Sequence, residues 1–344
     1  MKVLVVDDSI VFRSAIVSAI SSDDSIEVVR SFINGKVALD YLVTHPEIDL
    51  ITLDMEMPVL DGMETIKEIR KFNKRVVIIV FSAHTQKGAE KTIEALNAGA
   101  NDFVTKPENL GASPDESINS IKLELLPKIQ AFRNKAKAPV IETSQQEAIS
   151  PLNFHLTEKP KLILIGSSTG GPEALTKIFK SISGEVNVPI LLVQHMPPLF
   201  TQKLAESLSK LSSVQVLEAK EGDKLRPGVC YIAPGDYHMV LNDKKEISLN
   251  QNEKVCFVRP SVDVLFQSVA QHFNGKVLSI VLTGMGEDGA VGAKILDDKG
   301  AYTFVQDKES SVVWGMPGSV KKSVVHSKII ALENIGTLIS LNSK

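Results

Sequence analysis

Cysteine is scarce in this chain of 344 residues: Cys230 and Cys256 are the two present, and their spacing is not that of a metal-binding pair. Two thiols cannot staple a secreted scaffold, so a reducing, cytoplasmic setting is expected. A signal peptide is not expected either, because only four apolar residues follow Lys2 before Asp7 and Asp8. No apolar run approaches the ~20 residues of a membrane span. An excess of one charge is also lacking. The 38 basic and 41 acidic residues leave a net charge of -3, with no basic block. Nucleic acid is therefore not expected as a partner, nor is direct insertion into a membrane. The 43% hydrophobic and 23% charged residues are ordinary globular composition. At about 150 residues per domain, two domains are expected.

Short apolar runs alternate with amphipathic stretches from Val3 to Phe132, which implies a parallel sheet with helices on both faces. Arg133 to Lys161 is rich in Lys, Ala, Pro, Ser, Gln and Glu and reads as a linker. A second strand–helix series begins at Leu162, with apolar strands at Pro189–Gln194 and Val277–Thr283. Between them, alternation around Asn242–Lys245 predicts an antiparallel hairpin. Three segments result: a first domain over 1–125, a linker over 126–160 and a second domain over 161–344.

In the first segment Asp7 and Asp8 follow the first strand, Asp54 the third, Ser82 the fourth and Lys106 the fifth. In a doubly wound sheet those strand ends share one edge, where ligands bind. Clustered carboxylates repel, and an oxygen-only set favours Mg²⁺. A carboxylate beside a cation can attack phosphorus, and the lysine can hold phosphoryl oxygens. The stretches VLVVDDS, LDMEMPVLDG, FSA and DFVTKP resemble a two-component response-regulator receiver, with its flavodoxin-like (βα)5 fold. The resemblance implies Asp54 as phospho-acceptor and a histidine kinase as donor. It implies Mg²⁺ on Asp7, Asp8, Asp54 and the backbone carbonyl of Glu56. Ser82 and Lys106 would contact the phosphoryl group, Phe103 would be the aromatic switch, and Lys106–Pro107 would be cis.

In the second segment, LILIGSSTGGPEAL runs from a strand into a helix start through two serines, a threonine and three glycines. A phosphate loop is disfavoured, since Pro172 stands where its lysine belongs. Gly166–Gly170 instead matches G-x-S-x-G, the elbow that exposes a nucleophilic serine, with Ser168 central. His195 follows the strand in PILLVQHMPP and can serve as base. Glu287 and Asp288, in the glycine-rich loop after the Val277–Thr283 strand, can each orient that imidazole. The order Ser, His, Asp differs from the α/β-hydrolase order.

The motifs GSSTGG, QHMP, LTGMGEDGA and WGMPGS resemble the catalytic domain of the CheB-type protein-glutamate methylesterases. That likeness implies a doubly wound, mainly parallel sheet. It implies Ser168 as nucleophile, His195 as base and acid, and Asp288 as orienting carboxylate, with no cofactor. Amides near Thr169 and Met285 are the oxyanion-hole candidates. The substrates would be glutamate γ-methyl esters on chemoreceptors, with methanol released, and receptor glutamines would be deamidated as well. An unphosphorylated receiver is expected to obstruct the Ser168 cleft. A monomer is expected. The rival readings are a phosphorylation-controlled esterase of another substrate and a response regulator that binds a partner.

Overall fold

Both strand–helix series become parallel sheets in the computed structural model, which describes residues 1–107, 114–137 and 154–344. The chain divides into two compact units, Met1–Ala138 and Pro139–Lys344.

The first unit runs β1 (Lys2–Val6), α1 (Ile10–Ile20), β2 (Glu27–Phe32), α2 (Gly35–Thr44), β3 (Leu50–Asp54), α3 (Gly62–Phe72), β4 (Val77–Ser82), α4 (Gln86–Ala98), β5 (Asp102–Thr105) and α5 (Pro114–Lys137). Its sheet order is β2-β1-β3-β4-β5, with every pairing parallel. Local chemistry sets the helix starts. Ser9, Asn34, Asp61 and Thr85 each cap a helix by accepting a backbone N–H three residues on. Helix α5 continues well past residue 125, the expected domain end, as far as Lys137. Leu125, Leu126, Ile129 and Phe132 are buried, and their helical spacing carries the apolar face beyond Pro127. Residues 138–153 of the expected linker lie outside the described residues. Phe154, at its end, is buried, and its carbonyl accepts from Asn342 Nδ2 at 2.6 Å.

The second unit runs β6 (Leu162–Ser167), α6 (Gly171–Ser181), β7 (Ile190–Gln194), α7 (Phe200–Leu211), β8 (Gln215–Glu218), β9 (Val229–Ile232), β10 (His238–Leu241), β11 (Ile247–Asn250), α8 (Val262–His272), β12 (Val277–Val281), α9 (Ala290–Asp298), β13 (Tyr302–Gln306), α10 (Gly315–Ser323), β14 (Lys328–Ile330) and α11 (Leu332–Asn342). Seven strands form one all-parallel sheet ordered β14-β13-β12-β6-β7-β9-β8. The expected hairpin is the separate antiparallel pair β10–β11, while the neighbouring β9 joins the large sheet. Every residue of β6, β7 and β12 is buried, as strands covered on both faces require. From β6 the chain order runs one way to β7 and the other way to β12. This reversal opens the crevice in which doubly wound sheets bind ligands.

Among the described residues, no helix is long and apolar enough to cross a membrane. The cis peptide among them is Arg259–Pro260, and Lys106–Pro107 is not cis as the receiver resemblance implied. The trans preference of an X–Pro bond is only about 0.5–1 kcal/mol, so local packing chooses the isomer and a motif alone does not.

Candidate active site

Three adjacent strands of the large sheet, β12, β6 and β7, each lead into one of the candidate groups. The turn after β6 is tight. Gly170 has φ 76°, and a Cβ there would come within 2.5 Å of Val312. Gly171 opens α6 so close to Gln194 that a Cβ would lie 2.0 Å from Oε1. These glycines admit the close approach that puts Ser168, a half-buried residue, at the strand end. Ser168 N–H donates to Thr283 O at 3.0 Å, which ties the elbow to β12. Gln194 ties it to β7: Nε2 donates to Ser168 O at 3.0 Å and to His195 O at 3.2 Å, while Oε1 accepts from Ser167 Oγ at 2.7 Å. Ser167 is fully buried in that bond, which leaves Ser168 as the serine at the surface of the crevice.

His195 Nε2 lies 2.8 Å from Asp288 Oδ2. An ionised carboxylate only accepts, so Nε2 carries the proton and Nδ1 keeps the lone pair. Asp288 is 1% exposed and takes three further bonds. They come from Val262 N–H at 2.7 Å, Ser261 Oγ at 2.8 Å and Asp263 N–H at 2.9 Å. Burial pushes the Asp288 carboxyl up, but the bond and charge of His195 and these amides outweigh it, so the net shift is downward. Glu287, the other acid that sequence left open, is exposed. No hydrogen bond joins Ser168 Oγ to His195 among the described residues. Such contacts commonly tighten only when substrate binds.

The oxyanion candidates lie on the loops flanking Ser168. Thr169 is buried, and its carbonyl accepts from Thr283 Oγ1 at 2.9 Å. A Cβ on Gly284 would come 2.9 Å from Ser168 Cβ and 2.3 Å from Met316 Sδ. The backbone leading into Met285 therefore passes directly against the serine.

In the first unit, carboxylate oxygens of Asp7, Asp8 and Asp54 lie within 4.8 Å of one another. Asp7 is fully buried, and Asp54 is 3% exposed. Lys106 Nζ lies 2.8 Å from Asp54 Oδ1 and 3.2 Å from Asp7 Oδ2. Burial and the Asp54 charge outweigh Lys106 and raise the Asp7 carboxyl to about 6. One ammonium is thus too little for three acids, and the oxygen-only donor set fits a hard divalent cation. The Glu56 side chain turns away to Lys91 Nζ at 2.7 Å, so a ligand from this residue would have to be its backbone. Ser82 Oγ bonds Gly88 O at 3.1 Å and Thr92 Oγ1 at 2.6 Å, and it forms no bond with Asp54 or Lys106. Phe103 is buried, with Lys128 Nζ 5.2 Å from its ring centroid.

Four contributors were not picked out by sequence reasoning: Gln194, Ser261, Asp263 and His238. The first three bond candidate residues directly. His238 is buried on β10, and its Nδ1 accepts from Ser261 N–H at 3.2 Å. Ser261 carried a readable signal, a hydroxyl just before an apolar run.

Residues 163–339 match the CheB methylesterase family, and residues 3–113 match the response regulator receiver domain. A protein-glutamate methylesterase/protein-glutamine glutaminase of Trichodesmium erythraeum is 42% identical over 97% of this chain and 96% of its own length. A protein of the same description from Nocardioides is 40% identical over 98% of this chain and 93% of its own length. The crystal structure of the Thermotoga maritima CheB methylesterase catalytic domain is 38% identical. It covers 54% of this chain and all of that one, with a TM-score of 0.50.

Proposed function

The chain belongs to the CheB methylesterase family and carries a response regulator receiver, and on that premise we propose that it is a phosphorylation-controlled protein-glutamate methylesterase and glutamine deamidase of chemotaxis. The observation that carries the reading is the 2.8 Å bond between His195 Nε2 and Asp288 Oδ2, beside the Ser168 elbow.

Ser168 Oγ attacks the ester carbonyl of a receptor glutamate while His195 Nδ1 takes its proton. Asp288, held ionised by four donors, stabilises the imidazolium and fixes the tautomer. The amides near Thr169 and Met285 receive the developing oxyanion. His195 returns its proton to the leaving oxygen, and methanol departs. Water, deprotonated by His195, then hydrolyses the acyl-enzyme to a carboxylate. With a glutamine substrate the leaving group is ammonia.

Asp54 accepts the phosphoryl group from a histidine kinase. Asp7, Asp8, Asp54 and the Glu56 carbonyl would hold Mg²⁺, which neutralises phosphoryl oxygens when bound. Lys106 already touches Asp54 and can follow its charge onto the phosphoryl group. The Ser82 hydroxyl must leave Gly88 and Thr92 to join it, so phosphorylation reaches the start of α4. We assign the protein to the cytoplasm, as a monomer, with the esterase site free of cofactor.

Methanol release from methylated receptor membranes tests the reading. Ser168→Ala is expected to abolish it. Full turnover by that variant would overturn the serine mechanism.

A further inference from the structure

Helices α8 and α9 cap each other, and the two acids that do so sit at the hydrolytic site. Asp288, one residue ahead of the α9 N-cap Gly289, accepts the first N–H groups of α8. Asp263, in the first turn of α8, returns the contact. Its Oδ1 accepts Gly292 N–H at 2.7 Å, and the nearby amides of Gly289 and Val291 favour its charged form. Each acid thus meets the positive end of the other helix. The helices are close enough that a Cβ on Gly292 would lie 2.5 Å from Phe266 Cβ.

We propose that Asp263 is a positioning residue for ester hydrolysis: its ionised carboxylate anchors the first turn of α9 and so holds Asp288 where His195 can bond it. This rests on the Ser168–His195–Asp288 reading. A capped helix start fixes the turn that leads into it, and Asp288 stands in that turn beside the N-cap residue Gly289. Asp263 is 3% exposed and, among the described residues, has no lysine or arginine paired with it. Burial, with the Asp288 charge, raises its carboxyl to about 6 against the pull of the Gly292 amide. The other ionisable groups around it are Cys256, whose Sγ lies within 4.8 Å of both carboxylates, and Glu287, whose charge acts on Cys256. His195 reaches it through Asp288, and His238 through Ser261 and then Asp288. A proton on Asp263 keeps the side chain's shape but removes the charge that faces the start of α9.

The decisive measurement is the pH profile of kcat for Asp263→Asn and the wild type, between about pH 5 and about pH 8. Wild-type kcat is expected to fall on the acid side by an extra step of about tenfold as Asp263 takes up its proton, and so to converge on the variant's at low pH. The variant is expected to lack that step and to show, at high pH, a kcat lower by about tenfold with KM unchanged. An unchanged kcat and the same acid-side profile in a less stable variant would mean that Asp263 only supports the fold, and the proposal would fall. Proton NMR of the His195–Asp288 hydrogen bond gives a readout independent of turnover. In ¹³C-labelled wild type, its downfield resonance should inflect where the Asp263 carboxyl inflects. Titration of that carboxyl without a matching inflection would also overturn the proposal. This holds whether or not Asp263→Asn folds. If Ser168→Ala kept its activity, the hydrolytic reading would fail while the NMR coupling still decided the role of Asp263.

Discussion

Single residues differ sharply in how the site depends on them. Asp288→Asn keeps the volume but offers an N–H to Nε2, which moves the ring proton to Nδ1 and removes the base. We expect kcat to fall by about a thousandfold or more with little change in KM, measured by methanol release. The buried acids also leave opposite marks on stability. The Asp288 carboxyl is lowered in the folded state, so its contribution is present above the ordinary carboxylate value and is lost as pH falls through the lowered one. The Asp263 carboxyl is raised from 3.8 to about 6, so the folded protein binds its proton more tightly, and stability declines as pH climbs between those values. Urea midpoints for Asp263→Asn should lack that decline, and an identical decline would contradict the assignment. Ser168 and His195 were legible because each ends an apolar run at an abrupt polar turn. The choice of Asp288 over Glu287 came from the family resemblance and not from spacing, because adjacent acids in one loop differ only in which way the fold turns them. Asp263 was hidden for a deeper reason. Its partners lie 25 to 29 positions away in sequence, and no local pattern carries that pairing.

Helices and strands were easier to read than their limits. The apolar runs announced the central strands, while the domain end at 125 followed the receiver motifs instead of the buried face that runs along α5 as far as Phe132. The short β8 and β9 gave a weak signal because four residues each scarcely establish a period. At this scale the α8–α9 contact is the sensitive joint. Gly292→Ala would drive a methyl into Phe266 and force the helices apart. We expect a loss of about 1–3 kcal/mol in urea unfolding together with reduced kcat, because Asp288 moves with α9. Gly286→Ala is the control. Nothing lies within 4 Å of the added carbon, and only the strain of φ 79° remains. We expect about 1–2 kcal/mol there, with the capping between the helices left intact.

Across the whole molecule, two parallel sheets present different groups at their strand ends, and the chemistry proposed for each depends on those groups. Asp54→Asn should leave unstimulated methanol release intact and abolish its rise with a small-molecule phosphodonor. A rise that survives the substitution would place the phosphoryl group elsewhere. Mg²⁺ at a hundred times its Kd should stabilise the first unit by about 2.7 kcal/mol, seen as a shift in its thermal transition, and Asp7→Asn should remove the shift. The parallel sheet of the second unit also gives the enzyme a direction. Every strand delivers its carboxyl end to one border, and the turns at the opposite border, such as those at Gly184 and Gly300, return the chain without touching a reacting group. A peptide tag or reporter spliced into those far turns should therefore leave catalysis standing, whereas the same graft at Gly286 should silence it, so the fold marks out its own safe addresses for engineering.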